Sequence, residues 1–324
     1  QKATLDKLAG EYADELANLG VRVSNLEKKV GNISWFGDAR MRWKEKGYNT
    51  DGSRKADGWD GRMRINAKAQ VNDSTYVRGR FTSNMNFKDD ADANTKMDVL
   101  FVHHQFGDKV GMTLGRQDLT LGQTGTYYDD EFDGVIATFG GDKLALDLGY
   151  GRFKSWDLKA ADGSNTEAFL GRLYGSTGRL SYDAEYINMA YNQGNVWGLG
   201  LTANITDKID VFGDFYKNTD ADNDPQVWTA GLGFGHTNWK KPGTFRVSAQ
   251  YIDAEKGSVF GASTYNVSPI DEAVSKTDVD YWLAQADVIL AKNVKLHGEY
   301  AFDVDAKDGS DYDNLATVSL NYVF

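Results

Sequence analysis

The chain has 324 residues, a formal net charge of −11, 13% aromatic residues, 3 Pro and no Cys. The absence of Cys excludes disulfides and every cysteine-based metal site or nucleophile. The acidic balance argues against nucleic acid as the main partner. Mean hydropathy is −0.53, and no run of about 18 apolar residues is present, which excludes a transmembrane helix. Membrane-crossing strands stay open, because these need only about 10 residues with alternate positions apolar.

The first thirty residues carry a heptad pattern that the rest of the chain lacks. The a and d positions are occupied by Leu5, Ala9, Tyr12, Leu16, Leu19, Val23, Leu26 and Val30. A stripe this narrow is typical of a coiled coil, since a lone helix of this length is marginal in water. Gly31 ends the pattern, so residues 1–31 are predicted to form a coiled-coil stalk segment. A helix packed on its own domain is the alternative. Because the helical pattern starts at Gln1 without a leader, we expect a mature or truncated chain.

After Gly31 the hydrophobic period changes to two. From Met63 to Val71, for example, apolar residues alternate with polar ones such as Arg64 and Lys68. The segments run for about 10 residues, which is longer than usual in soluble strands and long enough to cross a bilayer. Sixteen strands are predicted, starting near Ile33, Trp59, Thr75, Lys96, Lys109, Phe132, Lys143, Glu167, Arg179, Val196, Lys208, Gln226, Thr244, Asp278, Val294 and Asp313.

The links between these strands alternate in length. Short links such as VNDS, GGDK and LAKN alternate with longer acidic or Gly-rich ones, for example residues 46–58, 154–166 and 254–277. An up-and-down barrel through a membrane keeps one rim compact and carries loops on the other. We therefore predict an all-β fold, a 16-stranded antiparallel transmembrane β-barrel over residues 32–324, preceded by a short N-terminal α-helical coiled coil.

Two segments resemble bacterial outer-membrane barrels. The last segment, NLATVSLNYVF, resembles their C-terminal strand, whose final aromatic residues (here Tyr322 and Phe324) belong to the assembly signal. The stretch VGMTLGRQDLTLGQTGTYYDDEFDGVIATF resembles the general porins, in which a Gly-Arg-Gln strand end leads into the third extracellular loop. The resemblance implies that this loop, about residues 118–131, folds into the lumen and narrows it.

A coiled coil that leads directly into a porin-like barrel resembles the OmpM-type porins. In that group an S-layer-homology domain binds the cell wall, and a stalk joins it to the barrel. This domain has no counterpart here, so contact with peptidoglycan depends on residues before Gln1. The resemblance implies a homotrimer in the bacterial outer membrane, with the N-terminal helix in the periplasm and with outer-membrane lipid and lipopolysaccharide as partners.

Basic residues of the first three strands lie on the phase opposite the apolar one. Neighbouring strands are about 4.8 Å apart, so these charges form a contiguous wall that water and counter-anions must screen. The pattern favours a wet lumen over a packed interior. The predicted pore-lining basic residues are Arg40, Arg42, Lys44, Arg62, Arg64, Lys68, Arg78, Arg80 and Arg116, and the acidic residues expected on the constriction loop are Asp118, Asp129, Asp130, Glu131 and Asp133. The alternative is that several of these arginines are scaffolding, paired with acids such as Asp38.

Two patterns concern metals, and neither leads us to expect a cofactor. Asp220, Asp222 and Asp224 have oxygen-ligand spacing that suits Ca²⁺, but the Gly and the later Glu of an EF-hand are missing, which favours a solvated acidic loop. His103 and His104 are adjacent, so in a strand they face opposite sides, which argues against a shared metal.

The expected function is passive diffusion of small hydrophilic solutes and ions through a trimeric porin, with mild anion preference from a basic wall opposite an acidic loop. The alternative is a mechanical role, in which the barrel anchors a tether between outer membrane and peptidoglycan. An enzyme is disfavoured because no Ser/His/Asp set or carboxylate pair has supporting context. A soluble β-rich protein fits neither the strand length nor the arginine wall.

Overall fold

The fold is a closed antiparallel barrel in which each strand pairs with its sequence neighbours and the first pairs with the last. The computed structural model describes residues 12, 15, 19, 31–45, 55–88, 94–154, 162–190, 194–219, 223–259, 262–270, 276–310 and 312–324. The strands are β1 (Ile33–Lys44), β2 (Gly58–Asn72), β3 (Thr75–Asn86), β4 (Asn94–Phe106), β5 (Val110–Leu121), β6 (Tyr128–Gly141), β7 (Leu144–Phe153), β8 (Glu167–Thr177), β9 (Leu180–Met189), β10 (Asn195–Asn204), β11 (Ile209–Thr219), β12 (Gln226–Gly235), β13 (Phe245–Ala254), β14 (Val279–Ala291), β15 (Val294–Ala306) and β16 (Leu315–Val323).

The predicted sixteen-stranded barrel is confirmed. The largest difference in a strand start is at β6, which was expected near Phe132 and begins at Tyr128. Pro225, Pro242 and Pro269 all lie between strands, as expected for residues that lack an N–H to donate to a ladder.

The N-terminal coiled coil falls almost entirely outside the described residues. Tyr12, Glu15 and Leu19 are helical and exposed, and the other seam positions are not among the described ones, so the stalk stays a prediction. No helix in the described part of the chain is both long enough and apolar enough to span a membrane.

The strands have an apolar outer face. Side chains such as Met63, Phe81, Leu199 and Val318 are 44%, 44%, 61% and 47% exposed, while their neighbours along each strand face inward. Exposed apolar residues at every second position over many strands are what a barrel surrounded by lipid requires. The alternation read from the sequence therefore corresponds to the two faces of the wall.

The barrel closes through backbone pairing between β1 and β16. Gly37 N donates to Phe324 O at 2.8 Å, and Phe324 N donates back to Gly37 O at 3.0 Å. A Cβ atom at Gly37 would overlap the carbonyl oxygen of Arg64 and would also meet the Phe324 ring. Glycine is therefore required at this position, because the terminal aromatic residue and the neighbouring strand approach the β1 backbone closely.

One side of the barrel interior is packed rather than open. Inward side chains of β7–β14, among them Phe153, Leu170, Ile187, Tyr216 and Tyr281, are at most 1% exposed and belong to one apolar cluster. Residues of the two segments that enter the lumen, described below, complete that cluster. The basic residues of the first three strands favoured a wet lumen over a packed interior, whereas on this side inserted chain and inward side chains pack together.

Candidate pore constriction

The ends of β5 and β6 leave the barrel wall together. β4 pairs with β5 only as far as Arg116, and β7 pairs with β6 only from Phe132 onward, whereas β5 and β6 stay paired with each other up to Leu121 and Tyr128. Gly115, at φ +128°, marks the bend, and a Cβ there would overlap the carbonyl of Leu100. Residues 117–131 thus form a β-hairpin that separates from its neighbours, called here the lumen hairpin.

The tip of the lumen hairpin is held by carboxylates on the far wall. The Gly122 amide donates to Glu185 at 3.1 Å, and the amides of Gln123 and Thr124 donate to the two oxygens of Asp214 at 2.8 and 2.9 Å. Backbone N–H donors are good partners for buried carboxylates because they supply positive dipole without a counter-ion. The hairpin therefore crosses the interior and is fixed at β9 and β11.

A glycine on β10 makes this anchor possible. A Cβ at Gly200 would overlap Oδ1 of Asp183, and it would also crowd Asp214. With no side chain there, the carboxylates of β9 and β11 approach each other, and Gln123 Nε2 donates to Asp183 at 2.7 Å.

The two faces of the lumen hairpin differ in polarity. Leu119 and Leu121 on one face are 6% and 0% exposed and join the apolar cluster. The opposite face carries the cross-strand pairs Asp118–Glu131 and Thr120–Asp129. The hairpin therefore packs one side on the barrel wall and presents an acidic side to the rest of the lumen.

Arg80 joins the hairpin to the wall of β3 and β4. Its guanidinium contacts Asp98 at 2.8 Å, Asp118 at 2.7 Å and Glu131 at 2.8 Å, and its side chain is 6% exposed. Because loss of one partner of a buried ion pair leaves an uncompensated charge, each of these contacts constrains the hairpin base. Lys154 also reaches Glu131, at 2.5 Å.

Arg40, Arg42, Arg62 and Arg64 form a ladder on the inner face of β1 and β2, called here the arginine ladder. Their side chains are 14%, 18%, 25% and 30% exposed. Arg40 and Arg62 lie directly opposite each other across the strand pair. Like charges in this position repel and need water or counter-anions nearby.

Two carboxylates partly balance the arginine ladder. Asp60 lies 2.8 Å from Arg42 and 3.6 Å from Arg40, and Asp38 lies 2.8 Å from Arg64 and 3.3 Å from Arg62. Four guanidinium groups therefore share two carboxylates. Asp38 was predicted from the sequence as a possible partner of these arginines, but Asp60 was not. The position of Asp60 directly opposite Arg42 follows from the strand register.

The arginine ladder and the acidic side of the lumen hairpin lie inside a closed barrel, and solved structures with the same fold are found. A double mutant of the Rh. blastica porin matches with a TM-score of 0.62 and 15% identity, over 90% of this chain and 100% of that one. A triple mutant of the Rhodopseudomonas blastica porin matches with a TM-score of 0.61 and 14% identity, over the same shares. A structure described as "Asymmetric conductivity of engineered proteins" gives 0.62 and 15%, again over 90% and 100%. The chain has the fold of a porin. No protein-family model and no curated protein matches its sequence.

The other predicted basic residues occupy different surroundings. Arg78 donates to Asn66 Oδ1 at 2.8 Å and lies 3.4 Å from Asp118, so it extends the porin-like inner wall toward the hairpin. The Lys68 ammonium lies 3.9 Å from the centre of the Tyr76 ring. Lys44 is the last residue of β1 and lies on the same inward phase as Arg40 and Arg42.

Arg116 lies on the outer face and not in the lumen. It shares the phase of Leu114, which is 59% exposed, and it forms a bidentate pair with Asp133 at 2.5 and 2.6 Å. Arg116 is therefore not a pore-lining residue as predicted. Its partner Asp133 is likewise not one of the acids at the constriction. Asp130 is opposite Leu119 and so lies on the packed side of the hairpin, while Asp118, Asp129 and Glu131 lie on the acidic side.

The sequence analysis missed the segment between β13 and β14 (residues 255–278, described at 255–259, 262–270 and 276–278), called here the β13–β14 segment. The sequence pattern assigned it only to the longer links between strands, yet Val259, Tyr265, Val267 and Ile270 are all at most 7% exposed and belong to the apolar cluster. Four apolar side chains in a long loop are the one signal in the sequence that indicated burial.

The candidate metal ligands are not gathered into a site. Within the described ranges no group of three or more His, Asp or Glu side chains is placed to hold a metal ion. Asp224 lies 3.6 Å from Lys217, and Asp220 and Asp222 fall outside the described residues. His103 and His104 contact threonine hydroxyls on opposite faces of β4.

Proposed function

We propose that the chain forms a water-filled channel in a bacterial outer membrane, through which small hydrophilic solutes and ions diffuse passively. The observation that carries this proposal is the arginine ladder on the inner face of strands whose outer face is apolar and exposed. Charge inside and apolar side chains outside are the arrangement that lipid around a barrel and water within it require.

The proposed filter consists of the arginine ladder and the acidic side of the lumen hairpin. Four guanidinium groups share two carboxylates, while Asp118, Asp129 and Glu131 lie on the hairpin. Opposite charges on two sides of a passage create a transverse field that orders water, orients dipolar solutes and hinders large apolar ones. Arg80 and Lys154 already pair with Asp118 and Glu131. The hairpin acids therefore offset the surplus of two positive charges on the ladder only in part, and we expect mild anion preference.

The exposed apolar outer face supports the membrane location. A contiguous apolar surface of this extent needs a cover of lipid or of neighbouring subunits. Outer-membrane lipid and lipopolysaccharide are the proposed cover, and a homotrimer is the proposed assembly. Contact with peptidoglycan is proposed only through the periplasmic stalk and an upstream domain.

The test is electrical recording from the purified protein in planar bilayers. A salt gradient gives the sign of selectivity from the reversal potential, and we expect stable conductance with mild anion preference. Absence of conductance would refute the channel, whereas strong cation selectivity would refute only the basic filter. Folding that occurs without detergent or lipid would contradict the membrane location.

A further inference from the structure

The β13–β14 segment pairs with the lumen hairpin inside the barrel. The Asp129 amide donates to Ala262 O at 2.8 Å, and the Thr264 amide donates to Gly125 O at 3.0 Å. The Thr126 hydroxyl lies 2.8 Å from the hydroxyl of Tyr265. Burial raises the pKa of the Tyr265 hydroxyl to about 12, so this group stays neutral at ordinary pH. The two inserted segments thus form one connected structure across the lumen.

A buried carboxylate on the barrel wall holds the middle of this segment. Glu299 on the inner face of β15 accepts from the amides of Asn266 and Val267 at 2.7 and 3.0 Å, and from Asn266 Nδ2 at 3.0 Å. Glu299 is 4% exposed, and His297 contacts its other oxygen at 2.8 Å. Because a buried carboxylate needs donors on both oxygens, this arrangement fixes the backbone at Asn266 as well as its amide orientation.

The side-chain oxygen of Asn266 faces the arginine ladder. Asn266 Oδ1 accepts a hydrogen bond from Arg40 Nη1 and another from Arg42 Nη1, both at 2.8 Å. An amide oxygen is a neutral acceptor, so it orients both guanidinium groups without removing their charge. Among the described residues that accept from these two arginines, Asp60 is anionic and Asn266 is neutral.

We propose that residues 262–270 of the β13–β14 segment form a second wall of the narrowest passage, and that Asn266 is a specificity-determining residue of this channel. By this inference Asn266 positions Arg40 and Arg42 toward permeating anions, while Glu299 and the four buried apolar side chains keep the segment inside the barrel. The inference rests on the proposed channel function and adds a constriction element that the lumen hairpin alone does not supply.

The first test introduces a thiol at the site. The chain has no Cys, so Asn266→Cys carries the only thiol, and Ser310→Cys places one on the exposed link between β15 and β16 as a matched control. We expect an anionic methanethiosulfonate reagent to lower the single-channel conductance of Asn266→Cys and to leave that of Ser310→Cys unchanged.

The second test changes charge at constant size. Asn266→Asp keeps the acceptor contacts to Arg40 and Arg42 but replaces the Nδ2 donor to Glu299 by an oxygen. The added charge should lower the anion-to-cation permeability ratio on the order of 4-fold, the effect of one screened charge about 6 Å away. A variant with residues 262–270 replaced by a Gly-Ser linker should show larger conductance than the unmodified chain.

The outcomes separate this inference from the channel proposal. If the unmodified chain conducts, and neither the thiol reagent nor Asn266→Asp alters conductance or selectivity, the second wall is refuted and the channel stands. If the unmodified chain is silent and the linker variant conducts, the segment closes the lumen, which supports the wall and refutes open diffusion. If neither conducts, both are refuted.

Discussion

Replacing the facing pair of arginines should reverse the charge preference of the passage. In Arg40→Gln/Arg62→Gln, the remaining Arg42 and Arg64 keep their own partners, Asp60 and Asp38 at 2.8 Å each. The surplus of two positive charges in the ladder is thereby removed. The acidic side of the lumen hairpin is unchanged, so cations should now be favoured.

The magnitude follows from Coulomb interaction in a wet lumen. An anion about 6 Å from one charge gains about 0.7 kcal/mol in water, or about 0.4 kcal/mol after screening at 0.1 M salt. Two charges give about 0.8 kcal/mol, which changes the local anion concentration about 4-fold and the cation concentration by the same factor in the other direction. The permeability ratio should therefore shift toward cations on the order of 10-fold, and by more if the local dielectric constant is below that of water.

The assay is the reversal potential in a salt gradient, with Arg179→Gln as the control. Arg179 lies on the short link between β8 and β9, pairs with Asp207 and is 59% exposed. Removal of its charge should therefore leave selectivity unchanged. A double variant that conducts normally with an unchanged reversal potential would show that the arginine ladder does not face the ion path.

Three further predictions test the anchor, the closure and the inter-segment contact. Asp214→Ala should speed amide exchange at the hairpin tip by about 10-fold or more, because a hydrogen bond to a charged group contributes about 1.5–3 kcal/mol. The control Asp207→Ala, which removes a side chain that is 92% exposed, should leave this exchange unchanged. Equal exchange in both variants would count against the anchor. Gly37→Ala should lower the yield of folded, heat-modifiable barrel on gels. The control Gly79→Ala, whose added Cβ has no neighbour closer than 3.9 Å, should fold normally. Equal yields would contradict the close approach between β1 and its neighbouring chain at Gly37. Burial raises the pKa of the Tyr265 hydroxyl to about 12, so ionisation of Tyr265 in the unfolded state should lower the free energy of unfolding by up to about 3 kcal/mol from pH 10 to 12. Burial also raises the pKa of Tyr127, so part of the fall in denaturant titrations should remain in Tyr265→Phe, smaller by up to about 3 kcal/mol than in the unmodified chain; the same slope in both proteins would exclude a contribution from Tyr265.

The barrel was predictable because its signal is local. The alternation of apolar and polar residues sets the face of every side chain, and the links set the order of the strands. The start of β6 was placed four residues late because residues 128–131 lie inside the lumen, beyond the register of β6 with β7, so they lack the alternation that lipid contact imposes on a wall strand. Arg116 shares the outward phase of Met112 and Leu114 on β5, so its place on the outer face could have been predicted from the sequence.

The interior was less predictable because its contacts join distant parts of the chain. Asn266 meets Arg40 across 226 residues, and Asp214 meets the hairpin tip across about 90. No periodicity marks such contacts, because loops that fold inward are selected for their fit to a particular wall. The basic wall itself was predicted from the strand phase. The residues that orient this wall or hold the inserted segment were not predicted, namely Asp60, Glu299 and Asn266.

The lumen hairpin is attached at its tip through main-chain amides. Every amino acid except proline carries this donor, so substitution of Gln123 or Thr124 removes only the side-chain contacts with Asp183 and Asp214 and leaves the main-chain contacts in place. In the proposed channel, side chains at the tip can therefore be exchanged to alter solute preference while the main-chain attachment remains, which makes these positions suitable for engineering or for evolutionary drift.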